Sequence, residues 1–335
     1  MPTYGRTDVQ FVRGEGAWLI DHRGERYLDG LSGLGVVALG HANPAVAQAL
    51  SEQSQQLLHT SNLYRIPGQE HLAERLAKLS GMDNMFFGNS GAEACECAIK
   101  IARMFGHQKG FSDPTIIVMD SAFHGRTMAT LTATGNRKVH AGFEPLVSGF
   151  LRVPFNDVDS IEKIAATTNQ VTAIFVEPIQ GEGGIQVPDE DYLPRLRGIC
   201  DANNWLLIID EVQSGNARTG QYFCYQHSGI LPDLVTTAKG LGNGVPIGVC
   251  MARGAAAHLF KPGNHGSTFG GNPLSCAAAN AVLDEFERLN IIDHAAQMGD
   301  YLLQQFRTRL AGENAVKDIR GNFGRDYRVT LSGLD

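Results

Sequence analysis

Residues 205–240 read WLLIIDEVQSGNARTGQYFCYQHSGILPDLVTTAKG. Two apolar runs in this stretch, WLLII and DLVTTA, have the length and composition of buried parallel strands. The first runs into a carboxylate, Asp210, and the second into an amine, Lys239. In open α/β sheets, ligands collect at the carboxyl ends of the strands. A charge buried there is costly unless it is paired or has a task, so Asp210 and Lys239 are read as facing one ligand.

Outward from this stretch, strand and helix patterns alternate. TIIVMD (115–120), FLRVPF (150–155), VTAIFVEP (171–178) and VPIGVCMA (245–252) read as further strands. Helical patterns fall near 158–167 and 191–203. Upstream, GAWLIDHRGERYLDG (16–30) reads as a hairpin turning at HRGE. Residues 44–58 and 69–79 read as helices, followed by the strand NMFFGNS and the helix AEACECAIKIARMF (92–105). From Pro273 to residue 312 the pattern is helical, as for a long linking helix. Such alternation predicts an α/β fold with a mostly parallel sheet.

The chain has 335 residues, 43% hydrophobic and 19% charged, with a net charge of −7. No basic face for nucleic acid or an anionic membrane is expected from that balance. Arg6, Asp8, Arg13 and Glu15 interrupt the N-terminus, so it reads as neither signal peptide nor membrane span. The six cysteines (95, 97, 200, 224, 250, 276) lack metal-ligand spacing and are expected to be reduced core thiols of a cytoplasmic protein. No metal is expected.

Several short motifs carry chemistry. Lys239 lies between LVTTA and GLGNGVPIG, small and apolar flanks that would lower its amine pKa and free it to attack an aldehyde. Asp210 follows four apolar residues, and beside a pyridine nitrogen it would keep a ring protonated and electron-withdrawing. A helix cap or a salt bridge at the strand end is the competing reading. GNSGAE (88–93) lies between strand and helix, where helix N–H groups suit a phosphate; a plain turn capped by Ser90 is the alternative. FHGRT (123–127) offers Phe123 to stack on a heterocycle and Arg126 to clamp a carboxylate. VEPIQGEGG places Glu177 and Glu182 after a strand, as acid/base groups or as partners for an arginine. In HGSTFGGNP, Ser267 and Thr268 could donate to an anion or stabilise a turn. GLGNGVPIG fits a dinucleotide loop poorly, because it opens a strand.

NSGAEA, FHGRT, VEPIQGEGG, IIDEVQSG, RTG, TTAKGLGNGVPIG and HGSTFGGNPL stand in an order that resembles the class III aminotransferases, of fold type I among pyridoxal-phosphate enzymes. The likeness runs from about residue 10 to 320. HTSNLY (59–64) and GNHGSTFGGNPLSCAAA are most similar to the acetylornithine-type branch. This implies amino transfer between N2-acetylornithine and 2-oxoglutarate, with glutamate as the other product, in arginine biosynthesis. The same cofactor residues suit a succinylornithine or 4-aminobutyrate aminotransferase.

The resemblance also implies roles. Lys239 would be the Schiff-base lysine and general base, and Asp210 would hold the pyridine nitrogen. Val212 and Phe123 would pack on the two ring faces, with Gln213 near the ring hydroxyl and Glu211 counted in the same run. Ser90, Gly91 and Ala92 would take the phosphate, and Thr268 would complete that site from a second subunit, giving a homodimer with a shared active site. Arg126 would bind the substrate α-carboxylate with Ser267 nearby, and Glu182 would be a switch carboxylate. Leu34 stands where ornithine enzymes of the class carry tyrosine, which argues against unacylated ornithine.

The expected organisation is an N-terminal segment 1–43, a large cofactor-binding domain 44–272, and a linking helix with the start of a small domain over 273–335. After VKDIRG the tail NFGRDYRVTLSGLD departs from the family, so the resemblance implies a truncated or frameshifted member with an incomplete small domain and impaired catalysis as an alternative. Arg325 and Arg328 stand in no family motif, and no role is carried onto them.

Overall fold

The computed structural model describes residues 1–322 and 326–331, with side chains up to residue 321. Three short N-terminal strands, β1 (Phe11–Glu15), β2 (Trp18–Asp21) and β3 (Arg26–Leu28), pair antiparallel in a sheet of their own. The expected hairpin is β2–β3, turned at 22–25. β1 adds an outer strand whose Phe11 and Val12 are exposed, so it carries little inward apolar signal. A left-handed turn, α1 (Ser32–Gly35), and helices α2 (Pro44–Gln56) and α3 (Pro67–Ser80) lead to the main sheet.

That sheet is built from β4 (Asn84–Gly88), β5 (Thr115–Met119), β6 (Phe150–Val153), β7 (Val171–Val176), β8 (Leu206–Asp210), β9 (Leu234–Thr237) and β10 (Gly248–Ala252). Its order is β4-β10-β9-β8-β7-β5-β6. β10 runs antiparallel to both neighbours, and the remaining pairs are parallel. Between the strands come α4 (Gly91–Gln108), the short helices α5 (Met128–Ala133) and α6 (Arg137–His140), α7 (Val158–Thr167) and α8 (Tyr192–Asn203).

Both faces of this sheet are covered, so every residue of the central strands β7, β8 and β9 is buried. Leu207 and Ile209 of β8 join Ile174, Val176 and Val235 on one side. Leu206 and Ile208 join Ala173, Phe175 and Leu234 on the other, beneath α4. Side chains alternate along a strand, so Asp210 shares the face of Leu206 and Ile208 and is delivered towards α4.

α4 is fixed at both ends. Ser90 caps its start by accepting from the Glu93 N–H at 3.2 Å. Near its end, a Cβ on Gly106 would come within 2.3 Å of Thr172 Cγ2 and 2.7 Å of Pro114 Cβ. Only glycine lets the helix lie this close to β7.

The helical pattern over 273–312 forms two helices rather than one long linker: α9 (Pro273–Arg288) and α10 (Ile291–Arg309). Asn290, with φ 47°, interrupts them in the left-handed conformation, which asparagine tolerates better than most residues. α9 packs onto α3, where Arg75 pairs with Asp284 at 2.7 Å and Glu287 at 3.0 Å. Beyond α10 the backbone forms an antiparallel pair, β11 (Val316–Asn322) and β12 (Asp326–Leu331). Arg325 lies outside the described residues, and Arg328 is described only by its backbone pairing with Arg320. Among the described residues no helix is long and apolar enough to cross a membrane.

Candidate active site

A cavity of about 410 Å³ opens at the carboxyl ends of β8 and β9. Ser90, Gly91 and Ala92, Phe123 and Arg126, Asp210 and Val212, and Lys239 all line it. Eight of the residues singled out in the sequence, drawn from four separated motifs, therefore share one space. Val245, Pro246 and Ile247 of the GVPIG stretch line it as well.

The phosphate-sized end is the start of α4, whose first N–H groups have no intrahelical acceptor. A Cβ on Gly91 would sit 2.7 Å from Val212 Cγ1, so backbone and valine are in contact here. A Cβ on Gly125 would meet Thr130 Oγ1 at 2.6 Å and Ala92 Cβ at 2.8 Å, which keeps the FHGRT loop against the helix start.

Asp210 is buried and fully satisfied. His124 Nδ1 lies 2.7 Å from Oδ2, and the Cys95 thiol donates to the same oxygen at 3.4 Å. The Thr236 hydroxyl and the Val212 N–H donate to Oδ1 at 2.9 and 3.0 Å. Burial pushes the Asp210 carboxyl up, but His124 and the donors outweigh it and hold the group below its ordinary value. His124 is itself set by stacking on Phe175, with ring centroids 3.9 Å apart. Cys95, His124 and Asp210 bring ligand-type atoms within 4.8 Å of one another. Burial drives the Cys95 thiol well up, so it stays a protonated donor to Asp210.

Lys239 is half-buried in a left-handed turn, with φ 45°. Such a conformation is strained for a side-chain-bearing residue and must be held by its surroundings. Asn216 does so, donating to Thr237 Oγ1 and to the Ala238 carbonyl, both at 3.0 Å. The amine donates to Gln213 Oε1. Burial lowers the amine pKa below its ordinary value; Asp210, Glu182 and Glu177 oppose this, and Arg218 adds to it.

Other residues fall outside the cavity. Glu211 faces away from Asp210, as alternation requires; its carboxylate accepts from the Ser214 hydroxyl at 2.7 Å and the Tyr225 N–H at 2.8 Å. Glu177 is buried and accepts from the Phe123 N–H at 3.0 Å, and burial keeps its carboxyl well above the ordinary range. Glu182 and Leu34 line a second cavity of about 630 Å³, together with Gln213 and Arg218. Ser267 accepts from Asn89 Nδ2 at 3.2 Å, next to the helix start. Thr268 is exposed and lines neither cavity. All six cysteines are buried, and none is in a disulfide. Cys95, Thr236 and the role of His124 were not found by sequence reasoning. The place of Cys95 on the apolar face of α4, in line with Ala98, Ile99 and Ala102, would have pointed to the sheet, but not to Asp210.

Glu211 yields a stability prediction. Burial pushes its carboxyl up to about 7, above the ordinary 4.5. Between those values the unfolded chain loses the proton while the folded chain keeps it, so stability falls as pH rises from about 4.5 to 7. The cost at the upper end is about 3 kcal/mol. Glu211→Gln is expected to flatten this slope, in denaturant melts at pH 5 and pH 8. Parallel slopes for the two proteins would refute the assignment.

The class III aminotransferase family matches the chain over residues 2–325. The chain is 56% identical over 321 residues to the acetylornithine aminotransferase of Nitrosomonas europaea, covering 96% of this chain and 82% of that relative. The Aquifex aeolicus acetylornithine aminotransferase is 48% identical over 318 residues, covering 95% and 83%. A crystal structure of ornithine aminotransferase from Toxoplasma gondii, with partial occupancy of PLP at its active site, matches with a TM-score of 0.92 at 34% identity. That match covers 96% of this chain and 77% of the other.

Proposed function

The chain belongs to the class III aminotransferases, and from that premise we propose that it moves an amino group between N2-acetylornithine and 2-oxoglutarate. Its cofactor is pyridoxal phosphate. The observation that carries the substrate assignment is identity of 46–56% to acetylornithine aminotransferases from several organisms over most of the chain. Arginine biosynthesis, a cytoplasmic location and a homodimer belong to the same proposal.

The residues present fit the cofactor. A helix start with close glycine contacts, a buried carboxylate held low and a single amine lowered by burial line one cavity. When bound, pyridoxal phosphate supplies an electron-withdrawing ring that stabilises negative charge at the carbon bearing the migrating amine. The N–H groups of Gly91 and Ala92, with Ser90, take the phosphate. Asp210 keeps a proton on the ring nitrogen, and His124, Cys95, Thr236 and the Val212 N–H keep Asp210 ionised. Phe123 and Val212 confine the ring, and Gln213 meets its hydroxyl. Lys239, with its amine pKa lowered by burial, would hold the cofactor at its carbonyl carbon and, once the substrate amine has displaced it, would be the base that moves the proton at the amine-bearing carbon.

Arg126 lies over the Phe123 ring at 5.7 Å and stays exposed at the cavity, free to bind the acetylornithine carboxylate, with Ser267 near by. Glu182 serves as the switch carboxylate in the second cavity. Thr268 acts in the site of a second copy. In support, Leu63, Tyr64 and Phe269 are 87%, 70% and 60% exposed, a large apolar surface beside the Thr268 loop. Asn62 donates to the carbonyls of Ser267 and Gly270 at 3.2 and 2.9 Å and joins these segments into one face. Residues 44–272 are proposed as the cofactor-binding domain, preceded by segment 1–43 and followed by a segment that opens with α9 and α10.

A donor panel tests the assignment. With 2-oxoglutarate as acceptor, kcat/KM is expected to be highest for N2-acetylornithine, ahead of succinylornithine, ornithine and 4-aminobutyrate. A higher value for free ornithine or 4-aminobutyrate would overturn it.

A further inference from the structure

The two cavities meet at one hydrogen bond. Gln213 lines the larger, Lys239 lines the smaller, and the Lys239 amine donates to Gln213 Oε1. The Gln213 side chain is confined from both sides by glycines of distant segments. A Cβ on Gly181 would lie 2.9 Å from Gln213 Cγ, and one on Gly35 would lie 2.9 Å from Gln213 Nε2. Gly35 also has φ +75°, a conformation open to glycine.

Arg218 closes this arrangement. Its Nε donates to the Gln213 carbonyl at 2.9 Å and its Nη2 donates to the Gly35 carbonyl. The missing Gly35 Cβ would be 2.9 Å from Arg218 Nη2, so the guanidinium lies directly against that turn. One planar fork thus ties the chain after β8 to a segment 183 residues earlier. Lysine cannot reproduce such a two-ended contact.

We propose that Arg218 is a positioning residue of the Lys239 site: it fastens the Gln213 peptide to the Gly35 turn and so aims the Gln213 amide at the lysine amine. The inference rests on the reading of Lys239 as the cofactor lysine. The guanidinium has a second, electrostatic consequence. Among the described residues, Asp210, Glu182 and Glu177 favour the ammonium form of Lys239 and Arg218 disfavours it, so the Arg218 guanidinium works with burial to free the amine.

The test uses the full chain, folded and stripped of cofactor. Modification of Lys239 by an amine-reactive reagent is followed against pH and read on its own peptide by mass spectrometry; cofactor retention is measured separately on the loaded protein. Arg218→Met is expected to raise the pH midpoint of Lys239 modification by about one pH unit, because a positive neighbour is lost. Cofactor retention should fall roughly tenfold as the amide loses its aim. Arg218→Lys keeps the charge without the fork, so its midpoint should stay native while retention still falls. A folded Arg218→Met protein with native midpoint and native retention overturns the proposal. Should that variant fail to fold, native retention in Arg218→Lys overturns it instead. Lys239→Ala is run alongside: if it still holds the cofactor covalently, the reading of Lys239 itself fails, whatever Arg218 does.

Discussion

Lys239→Ala is expected to lower kcat/KM with acetylornithine and 2-oxoglutarate by about 10⁴-fold or more, roughly 5.5 kcal/mol of transition-state stabilisation, while leaving the chain folded. Two functions are lost with one side chain: the covalent hold on the cofactor and the proton-moving base. The fold should survive because the strained turn does not depend on the amine. Alanine at φ 45° bears the same backbone strain as lysine, and Asn216 still clamps Thr237 and Ala238. The loss inside the protein is a single hydrogen bond to Gln213 Oε1. Borohydride treatment followed by peptide mass analysis should label Lys239 in the native protein and nothing at that position in the variant. Activity within tenfold of native would remove Lys239 from the proposed role.

This prediction could be framed from sequence alone, and the reason is local. WLLIID and DLVTTA are read correctly because both faces of β8 and β9 are buried, which leaves LLII and LVTTA uncharged up to Asp210 and Lys239. GNSGAE is legible as a strand-to-helix turn because Ser90 caps the start of α4. What escaped reading is non-local. His124 reaches Asp210 across 86 residues and Cys95 reaches it across 115. No spacing rule links such pairs; strand order and α4's placement over the sheet do. Nor could the sequence show that Glu211, next to Asp210, would face Tyr225 rather than the cavity until the register of β8 was known. β10 illustrates the same limit. Its five residues are all buried like a parallel strand's, and only its pairing with β4 and β9 shows that it runs the other way.

Asp210→Asn tests how far that non-local cage matters. The substitution keeps the shape and removes the charge. The Thr236 and Val212 donors still find an oxygen at the Oδ1 position, but a His124 ring that accepts from the new amide carries its proton on Nε2, a buried atom without a partner among the described residues, so the exchange also costs some stability. What cannot be recovered is a fixed negative charge against a protonated ring nitrogen. Its removal is expected to lower kcat by about 10³-fold, close to 4 kcal/mol, with a smaller effect on cofactor affinity, because the contacts at the start of α4 are untouched. Stability gives an independent check on the sign. The Asp210 carboxyl is held below its ordinary value when folded, so its contribution is fully present above the ordinary carboxylate range and is lost as pH falls through the lower, folded value. The advantage of the native protein over Asp210→Asn should therefore be largest near neutral pH and shrink in acid, as read from melts between pH 3 and 7. If the difference instead grows in acid, Asp210 is not the ionised group its surroundings imply, and the ring-nitrogen role fails with it.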